Sequence, residues 1–196
     1  MEHMHLASTL LVISQAEDLV KRRGIQPHAL MNCEQTVARS QDPKQRRLPD
    51  TVELAIGMPC MVMMNIKTEH DLANGTQGQI IDIILDPRER EVPAAANIVR
   101  LSFPLRYILF KPDETKAQSL DGLPNRVFPI EPATCRYMLE VDGQAITVER
   151  RQQPVTGRYA FTDYRLQGQT LSALIIDLAK PPSGKLTLFG AYIALS

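Results

Sequence analysis

The sequence has 196 residues, 44% of them hydrophobic, and its 22 basic residues are balanced by 22 acidic ones. This composition is sufficient for a buried core and excludes a wholly disordered chain. Because the formal net charge is zero, no overall field attracts a polyanion or a membrane surface, and any such contact must come from a local patch. Cys33, Cys60 and Cys135 are odd in number and widely spaced, which fits neither a disulfide framework nor a zinc site and predicts a reducing, intracellular environment.

The first 50 residues are predicted to form a helix followed by a linker arm. Across residues 6–24, apolar side chains recur at helical spacing, and three basic residues precede Gly24 in a typical helix stop. The start of this segment is too short and too polar to span a bilayer, so no membrane contact is predicted. Residues 25–50 lose the periodicity. Their basic cluster is interpreted as a solvated loop in preference to a phosphate-binding patch: Lys44, Arg46 and Arg47.

Residues 51–154 consist of short apolar runs separated by turn residues, which is typical of a small β domain. The predicted strands are residues 58–66, 79–85, 97–102, 106–111, 135–140 and 145–151. The last two flank Asp142-Gly143, a dipeptide suited to a tight hairpin, and Ile146 and Val148 alternate with polar residues, so they are expected to face the core. Short strands without long helices predict a small barrel. Four methionines are assigned to its core: Met58, Met61, Met63 and Met64.

Residues 155–196 change in character again. Two nearly uninterrupted apolar strands are predicted at residues 159–162 and 173–178, joined by a polar, glycine-containing turn. Such strands belong to parallel sheets that are covered on both faces, and these sheets usually have about four to six strands. The sequence therefore predicts that this segment is one part of a larger α/β domain.

Five short motifs occur in a fixed order along the chain. The first two are Gly-Met-Pro-Cys-Met at residues 57–61 and Asn-Gly-Thr-Gln-Gly at residues 74–78. The next three are Gln-Gly-Gln-Thr at residues 167–170, an apolar strand ending in aspartate at residues 174–177, and Tyr-Ile-Ala-Leu-Ser at residues 192–196. In this order and spacing they resemble the C-terminal part of superfamily 1 DNA helicases of the PIF and RecD type, especially the versions carried by Helitron transposons in fungal genomes.

The resemblance implies a mixed α+β fold. After the N-terminal helix and arm, a small Src-homology-3-like β-barrel at residues 51–154 would be inserted in a second RecA-like α/β domain, of which residues 155–196 form an incomplete part. The implied activity is that of an ATP-dependent DNA helicase, with DNA unwinding, repair, recombination and telomere maintenance as the family's roles. The implied partners are single-stranded DNA and a missing N-terminal RecA-like domain, and the implied location is the nucleus.

The resemblance also assigns site residues. The turn ending in Gln-Gly-x-Thr is helicase motif V, which contacts the phosphates of single-stranded DNA in the family. This DNA-binding role is carried over to Thr162, Arg165, Gln167, Gly168 and Thr170. The sequence departs from many relatives at residues 164–165, where Tyr-Arg stands in place of His-Lys, and at residue 166, where leucine stands in place of serine. Arg165 keeps the positive charge and adds planar phosphate-binding geometry.

Two further pairs of residues take roles from the family. Asn74 and Gly75 correspond to a barrel loop near the DNA path, and Tyr192 and Ser196 to the start of the nucleotide-sensing motif VI. In the family, the arginine of that motif follows the serine, whereas this sequence ends at Ser196. The intact family uses ATP and magnesium, but no Gly-x-x-x-x-Gly-Lys-Ser/Thr phosphate loop is present here. We therefore expect no complete catalytic site, no bound nucleotide or metal, and no ATP hydrolysis by this polypeptide alone.

Simpler interpretations stand beside these. Asn74-Gly75 is a common hairpin turn, and Arg150-Arg151 fits a solvated strand end better than a phosphate contact. His70 has no partner at ligand spacing and is treated as an ordinary loop residue. For the protein as a whole, the alternatives to a helicase part are a non-catalytic nucleic-acid-binding or scaffold module, or a decayed transposon product without function.

Overall fold

The computed structural model describes residues 10–21, 48–89, 96–141 and 144–159. The chain divides into two compact units, residues 1–157 and 158–196, and the secondary structure described here belongs to the first. Within the described ranges the elements are β1 (Leu11–Gln15), β2 (Glu17–Lys21), β3 (Thr51–Leu54), β4 (Pro59–Val62), a 3-10 turn (Thr68–His70), β5 (Gln77–Ile84), β6 (Ile98–Leu101), β7 (Tyr107–Pro112), β8 (Phe128–Ile130), β9 (Ala133–Val141), β10 (Gln144–Gln152) and β11 (Val155–Gly157).

The strands pair into three sheets. The first has the order β3-β1-β6, with β1 antiparallel to β3 and parallel to β6. The second is the antiparallel sheet β2-β10-β9, and the third is the antiparallel five-stranded sheet β11-β4-β5-β7-β8. Because only Ala16 separates β1 from β2, the chain passes directly from the first sheet into the second. Within the described ranges the strands form three separate sheets. They do not show the closed Src-homology-3-like barrel expected from the sequence.

The predicted N-terminal helix is wrong. Residues 11–15 and 17–21 are strands, and β1 is the central strand of its sheet. Val12, Ile13 and Ser14 are consecutive buried residues, a pattern that a strand covered on both faces of its sheet produces and a one-sided amphipathic helix does not. A short apolar run that contains β-branched residues fits either state, and pairing with β3 and β6 decided it here.

The six predicted strands are all present, with ends that shift by a few residues. The hairpin of β9 and β10 joins Val141 to Gln144 across a two-residue connection, as Asp142-Gly143 predicted. Ile146 and Val148 are buried as expected, at 2% and 0% exposure. Met61 is buried, and Met58 packs against the core at partial exposure. The short strands β3, β8 and β11 were not predicted.

The main hydrophobic core lies between the first and third sheets. Its members come from both of them and from the loops between, and they include Val12, Leu54, Val99, Ile80, Ile108, Phe110 and Phe128. The second sheet buries Tyr137, Ile146 and Val148, which lie outside this cluster. Polar side chains of β10 also join the second sheet to the first sheet and to the segment before β3.

Gly78 allows β5 to pack closely against the backbone of β7 and the ring of Phe110. A Cβ atom at this position would lie 2.3 Å from the carbonyl oxygen of Lys111 and 2.6 Å from the ring of Phe110. Only glycine fits this gap, because neither a backbone carbonyl nor a fully buried ring can move away cheaply.

Candidate nucleic-acid interface

Two loops leave the third sheet side by side. Residues 63–76 connect β4 to β5, and residues 113–127 connect β7 to β8. Gly78 at the start of β5 pairs with Pro112 at the end of β7, and the N–H of Asp113 donates a hydrogen bond to the carbonyl of Gln77 at 2.9 Å. The antiparallel register therefore places the two segments next to each other, and we call them the paired loops.

The first of the paired loops is held to the core by Leu72, which is 1% exposed. Lys67 and Leu72 exchange two backbone hydrogen bonds, of 3.0 and 3.2 Å, around the 3-10 turn. The N–H of Ile66 also donates to the carbonyl of Leu72, at 2.9 Å. One buried side chain and a small backbone ladder thus fix the shape of an otherwise exposed loop.

Asn74 and Gly75 form the return of this loop into β5. The N–H of Gly75 donates to the carbonyl of Val62 at 2.9 Å, and the N–H of Asn74 donates to Oδ1 of Asn65 at 3.0 Å. Gly75 has a φ of +95°, a conformation that glycine adopts without the clash of a Cβ atom. Asn65 and Asn74 are both exposed, so the turn presents carboxamide groups to solvent.

Asp71 connects the paired loops. Its Oδ2 accepts hydrogen bonds from the hydroxyl of Thr115 at 3.0 Å and from the N–H of Lys116 at 2.7 Å. These two hydrogen bonds, with the nearby charge of Lys116, hold the pKa of the Asp71 carboxyl below its usual value. The Asp71 carbonyl accepts a hydrogen bond from the hydroxyl of Thr76 at 2.7 Å, and Oγ1 of Thr76 accepts one from the N–H of Ala73 at 3.1 Å. Asp71 therefore holds both the neighbouring loop and the turn that contains Asn74.

His70 makes a second contact between the first loop and the end of the other. Its ring stacks on that of Phe128, the first residue of β8, with centroids 5.5 Å apart and an interplanar angle of 23°. Phe128 is fully buried, so His70 covers an edge of the core. The structure agrees with its treatment as an ordinary loop residue and adds this packing role.

The charges of the paired loops are mixed in sign. The exposed basic residues are Lys67, Lys116 and Arg126, and the exposed acidic residues are Glu69, Asp113, Glu114 and Asp121. No single-sign field arises from this set, in agreement with the neutral composition. A nucleic acid at this surface would be held by individual amides and lysines at defined positions rather than by a broad basic patch.

Arg150 is not the solvated strand end that the sequence suggested. It is 6% exposed and forms two hydrogen bonds to the carboxylate of Asp18, at 2.8 and 2.7 Å. Burial alone would lower the pKa of Arg150, but the hydrogen bonds and charge of Asp18 more than offset it and the pKa is raised. A further hydrogen bond, 3.2 Å long, joins Arg150 to the carbonyl of Leu48. Arg151 lies on the opposite face, is partly exposed and pairs with Glu17 at 3.3 Å.

Gln152 and Gln153 extend this arrangement, and both are fully buried. The amide of Gln152 donates to the carbonyl of Ser14 at 3.1 Å, and that of Gln153 to the carbonyl of Leu105 at 2.8 Å. We call Arg150, Gln152 and Gln153 the buried polar node, because they join β10 to the first sheet and to the segment before β7. The sequence interpretation missed it, although the alternation that placed Ile146 and Val148 inside also places positions 150 and 152 on that face.

The other predicted site residues lie outside the described residues: Thr162, Arg165, Gln167, Gly168, Thr170, Tyr192 and Ser196. Among the site residues that the resemblance assigns, Asn74 and Gly75 are the two that lie within the described residues. Among residues 10–21, 48–89, 96–141 and 144–159, no group of His, Cys, Asp and Glu side chains is arranged to hold a metal ion. The same ranges contain no helix with the length and hydropathy needed to cross a bilayer.

The fold is that of part of a Pif1-type helicase, as the sequence resemblance predicted. The Pif1 helicase from Candida albicans is 21% identical over a match that covers 94% of this chain and 36% of that one, with a TM-score of 0.51. A Bacteroides Pif1 bound to single-stranded DNA is 16% identical, over 93% and 32% of the two chains, with a TM-score of 0.49. A Bacteroides Pif1 in complex with ADP-AlF4 is 15% identical, over 83% and 27%, with a TM-score of 0.43.

The chain thus spans about a third of the length of the solved Pif1 structures that it matches. No protein-family model and no curated protein matches the sequence. The shared fold is therefore visible in the structure and in a few short motifs, and not in overall sequence similarity.

Proposed function

We propose that this chain is the DNA-guiding part of a Pif1-type DNA helicase, of the kind associated with Helitron transposons. The observation that carries the proposal is the agreement of two features. The fold matches the Candida albicans Pif1 helicase over 94% of the chain, and the five motifs that resemble the family occur in the family's order. A chance match of fold would not be expected to bring the motifs with it.

In this proposal, residues 51–154 and the strands at residues 11–15 and 17–21 form the inserted β domain, and residues 155–196 form part of the second RecA-like domain. The turn at residues 162–170 holds phosphates through the hydroxyls of Thr162 and Thr170, the guanidinium of Arg165 and backbone amides beside Gly168. Tyr192 and Ser196 begin the segment that senses nucleotide in the intact enzyme. A protein with this role acts where DNA is, which makes the nucleus its proposed location.

The paired loops guide the strand at a second place. Asn65 and Asn74 present exposed amides, and amide N–H groups are common donors to phosphate oxygens. Gly75 leaves room beside the turn, because it has no side chain to obstruct an approaching DNA backbone. These contacts read position along the strand rather than base sequence.

The nucleotide site of the family does not fit the residues of this chain. The sequence contains no phosphate loop, and the described residues hold no acidic cluster arranged for a metal ion. ATP and magnesium would therefore be held by the remainder of the helicase, including an N-terminal RecA-like domain that acts as the partner of this chain. The same observation favours a second candidate, a nucleic-acid-binding module without catalysis.

Binding of a labelled oligothymidylate to the 196-residue chain tests the proposal. We expect binding that weakens as salt rises, because each phosphate contact releases counterions. Arg165→Ala should weaken binding, whereas Arg136→Ala, which removes an exposed arginine paired with Glu149, should not. Absence of binding at about 50 mM salt would contradict the proposal, as would equal effects of the two substitutions.

An ATPase assay separates the two candidates. We expect no turnover by the chain alone, with or without DNA. If adding a Pif1-type N-terminal RecA-like domain produces DNA-stimulated hydrolysis, the helicase assignment is supported.

A further inference from the structure

We propose that the nucleic-acid surface of this chain includes the loop at residues 113–127, that Lys116 supplies its phosphate contact, and that Asp71 is the residue that positions it. This inference rests on the proposed function, since it concerns the same surface and ligand. It goes beyond the sequence motifs, which assign Asn74 and Gly75 and nothing in the second loop.

Lys116 is held next to the first of the paired loops. Its backbone N–H lies 2.7 Å from Oδ2 of Asp71, so the residue is held directly against the loop that carries Asn74. Lys116 is exposed, and an ammonium group in solvent is a mobile but strong phosphate ligand. Asn74 offers an amide without charge, and Lys116 offers a positive charge.

Asp71 has a left-handed backbone conformation. Its φ of 57° and ψ of 18° lie in the left-handed region, which aspartate adopts more readily than most residues other than glycine. In this conformation the side chain caps residues 115 and 116, while the carbonyl accepts the hydroxyl of Thr76. One residue thus sets the geometry of the Asn74 turn and the placement of Lys116 together.

The charge of Asp71 and its positioning role predict opposite effects on DNA binding. Asp71 is negative, and an anion beside a phosphate is unfavourable by itself. Removing it should therefore strengthen DNA binding if only charge matters. A positioning role predicts the opposite, because loss of the two hydrogen bonds releases Lys116 from the first loop. The direction of the change therefore distinguishes the two explanations.

The experiment measures oligothymidylate affinity at several salt concentrations for the 196-residue chain and three variants: Lys116→Ala, Asp71→Ala and the double substitution. Loss of one phosphate contact on single-stranded DNA makes the negative slope of log K against log salt less steep by about 0.7, which is about an eightfold loss of affinity near 50 mM salt. We expect this from Lys116→Ala. Lys111→Ala is the matched control, since Lys111 is an exposed lysine within β7 and outside the paired loops, and it should change little.

Asp71→Ala should weaken binding several-fold, and Lys116→Ala should then have little additional effect in that background. Asp71→Asn should fall between wild type and Asp71→Ala, because asparagine tolerates the left-handed conformation and keeps one acceptor oxygen. Urea unfolding of each variant establishes whether it is folded. If Asp71→Ala is unfolded, the affinities of Asp71→Asn and Lys116→Ala are compared with that of wild type instead.

The outcomes are distinct. If wild type binds and Asp71→Ala binds equally or more tightly, the positioning role is wrong while the proposed function stands. If Lys116→Ala leaves the salt slope unchanged, or matches Lys111→Ala, the second loop is not part of the surface. If wild type does not bind at all, the proposed function fails and this inference fails with it.

Discussion

The buried polar node and the paired loops are built from the same kinds of side chain and use them for opposite purposes. In the node, Arg150, Gln152 and Gln153 are almost fully buried and direct their hydrogen bonds to backbone carbonyls and to Asp18. In the paired loops, Asn65, Asn74 and Lys116 are exposed. The hydrogen bonds described for them use the backbone N–H of Asn74 and Lys116 and the Oδ1 atom of Asn65. Burial therefore separates polar residues that hold the fold together from those that are free to contact a ligand.

The largest expected loss of stability comes from a substitution in the buried polar node. Arg150→Ala leaves Asp18 without its bidentate partner in a mostly buried site, and removing one member of such a pair typically costs about 3–5 kcal/mol. Arg136→Ala removes an arginine whose side chain is 67% exposed, and its pair with Glu149 should contribute at most about 1 kcal/mol. Urea unfolding of both variants measures the difference. Similar losses of stability would show that Arg150 is not a structural residue.

The next effect concerns the strands beneath the paired loops. Gly78→Ala would force a methyl group to 2.3 Å from a backbone carbonyl, and overpacking of this kind costs about 1–3 kcal/mol or more. Gly75→Ala adds a methyl group with no atom within 4 Å, so its cost comes only from the positive φ and should be about 1 kcal/mol. In thermal unfolding, the Tm of Gly78→Ala should therefore be well below that of Gly75→Ala. The reverse order would contradict the close approach of β5 and β7.

A smaller effect separates buried from exposed glutamines. Gln152→Leu leaves the carbonyl of Ser14 in the interior without the donor it had, which is expected to cost about 2 kcal/mol. Gln79→Leu removes a hydrogen bond to the carbonyl of Gly57 at an exposed site, where water can replace the lost donor. Chemical denaturation should show a clear loss for the first and about 0.5 kcal/mol or less for the second. Equal losses would mean that burial does not decide the contribution.

The smallest effect is a pH dependence in the paired loops. The pKa of Asp71 is lowered in the folded state by its hydrogen bonds to residues 116 and 115, so the carboxylate stabilises the fold above its unfolded pKa, near 3.8. That contribution is lost as the pH falls through the lower folded pKa. The stability difference between wild type and Asp71→Asn should therefore be constant from pH 7 to about pH 5 and shrink below pH 3.8. A difference that grows on acidification would contradict this assignment.

Local sequence determined the β domain between residues 58 and 152 well. Alternation of apolar and polar residues located the strands, and Asp142-Gly143 predicted the hairpin, because period-two burial and positive φ at a turn are local properties. Asn74-Gly75 was recognised for the same reason. The five motifs and their order along the chain were also enough to indicate the helicase fold, because each motif is a short local signal that is visible in the sequence itself.

Tertiary structure decided the rest. Residues 11–15 have an apolar run that fits a helix or a strand, and only pairing with β3 and β6 selected the strand. Asp71 and Lys116 are 45 residues apart, and no local pattern brings them together. Arg150 became a buried residue because Asp18, 132 residues away, lies opposite it on β2. Composition and periodicity specify which faces are apolar, whereas the partner of a polar group depends on which strands meet, and that is settled only when the chain packs.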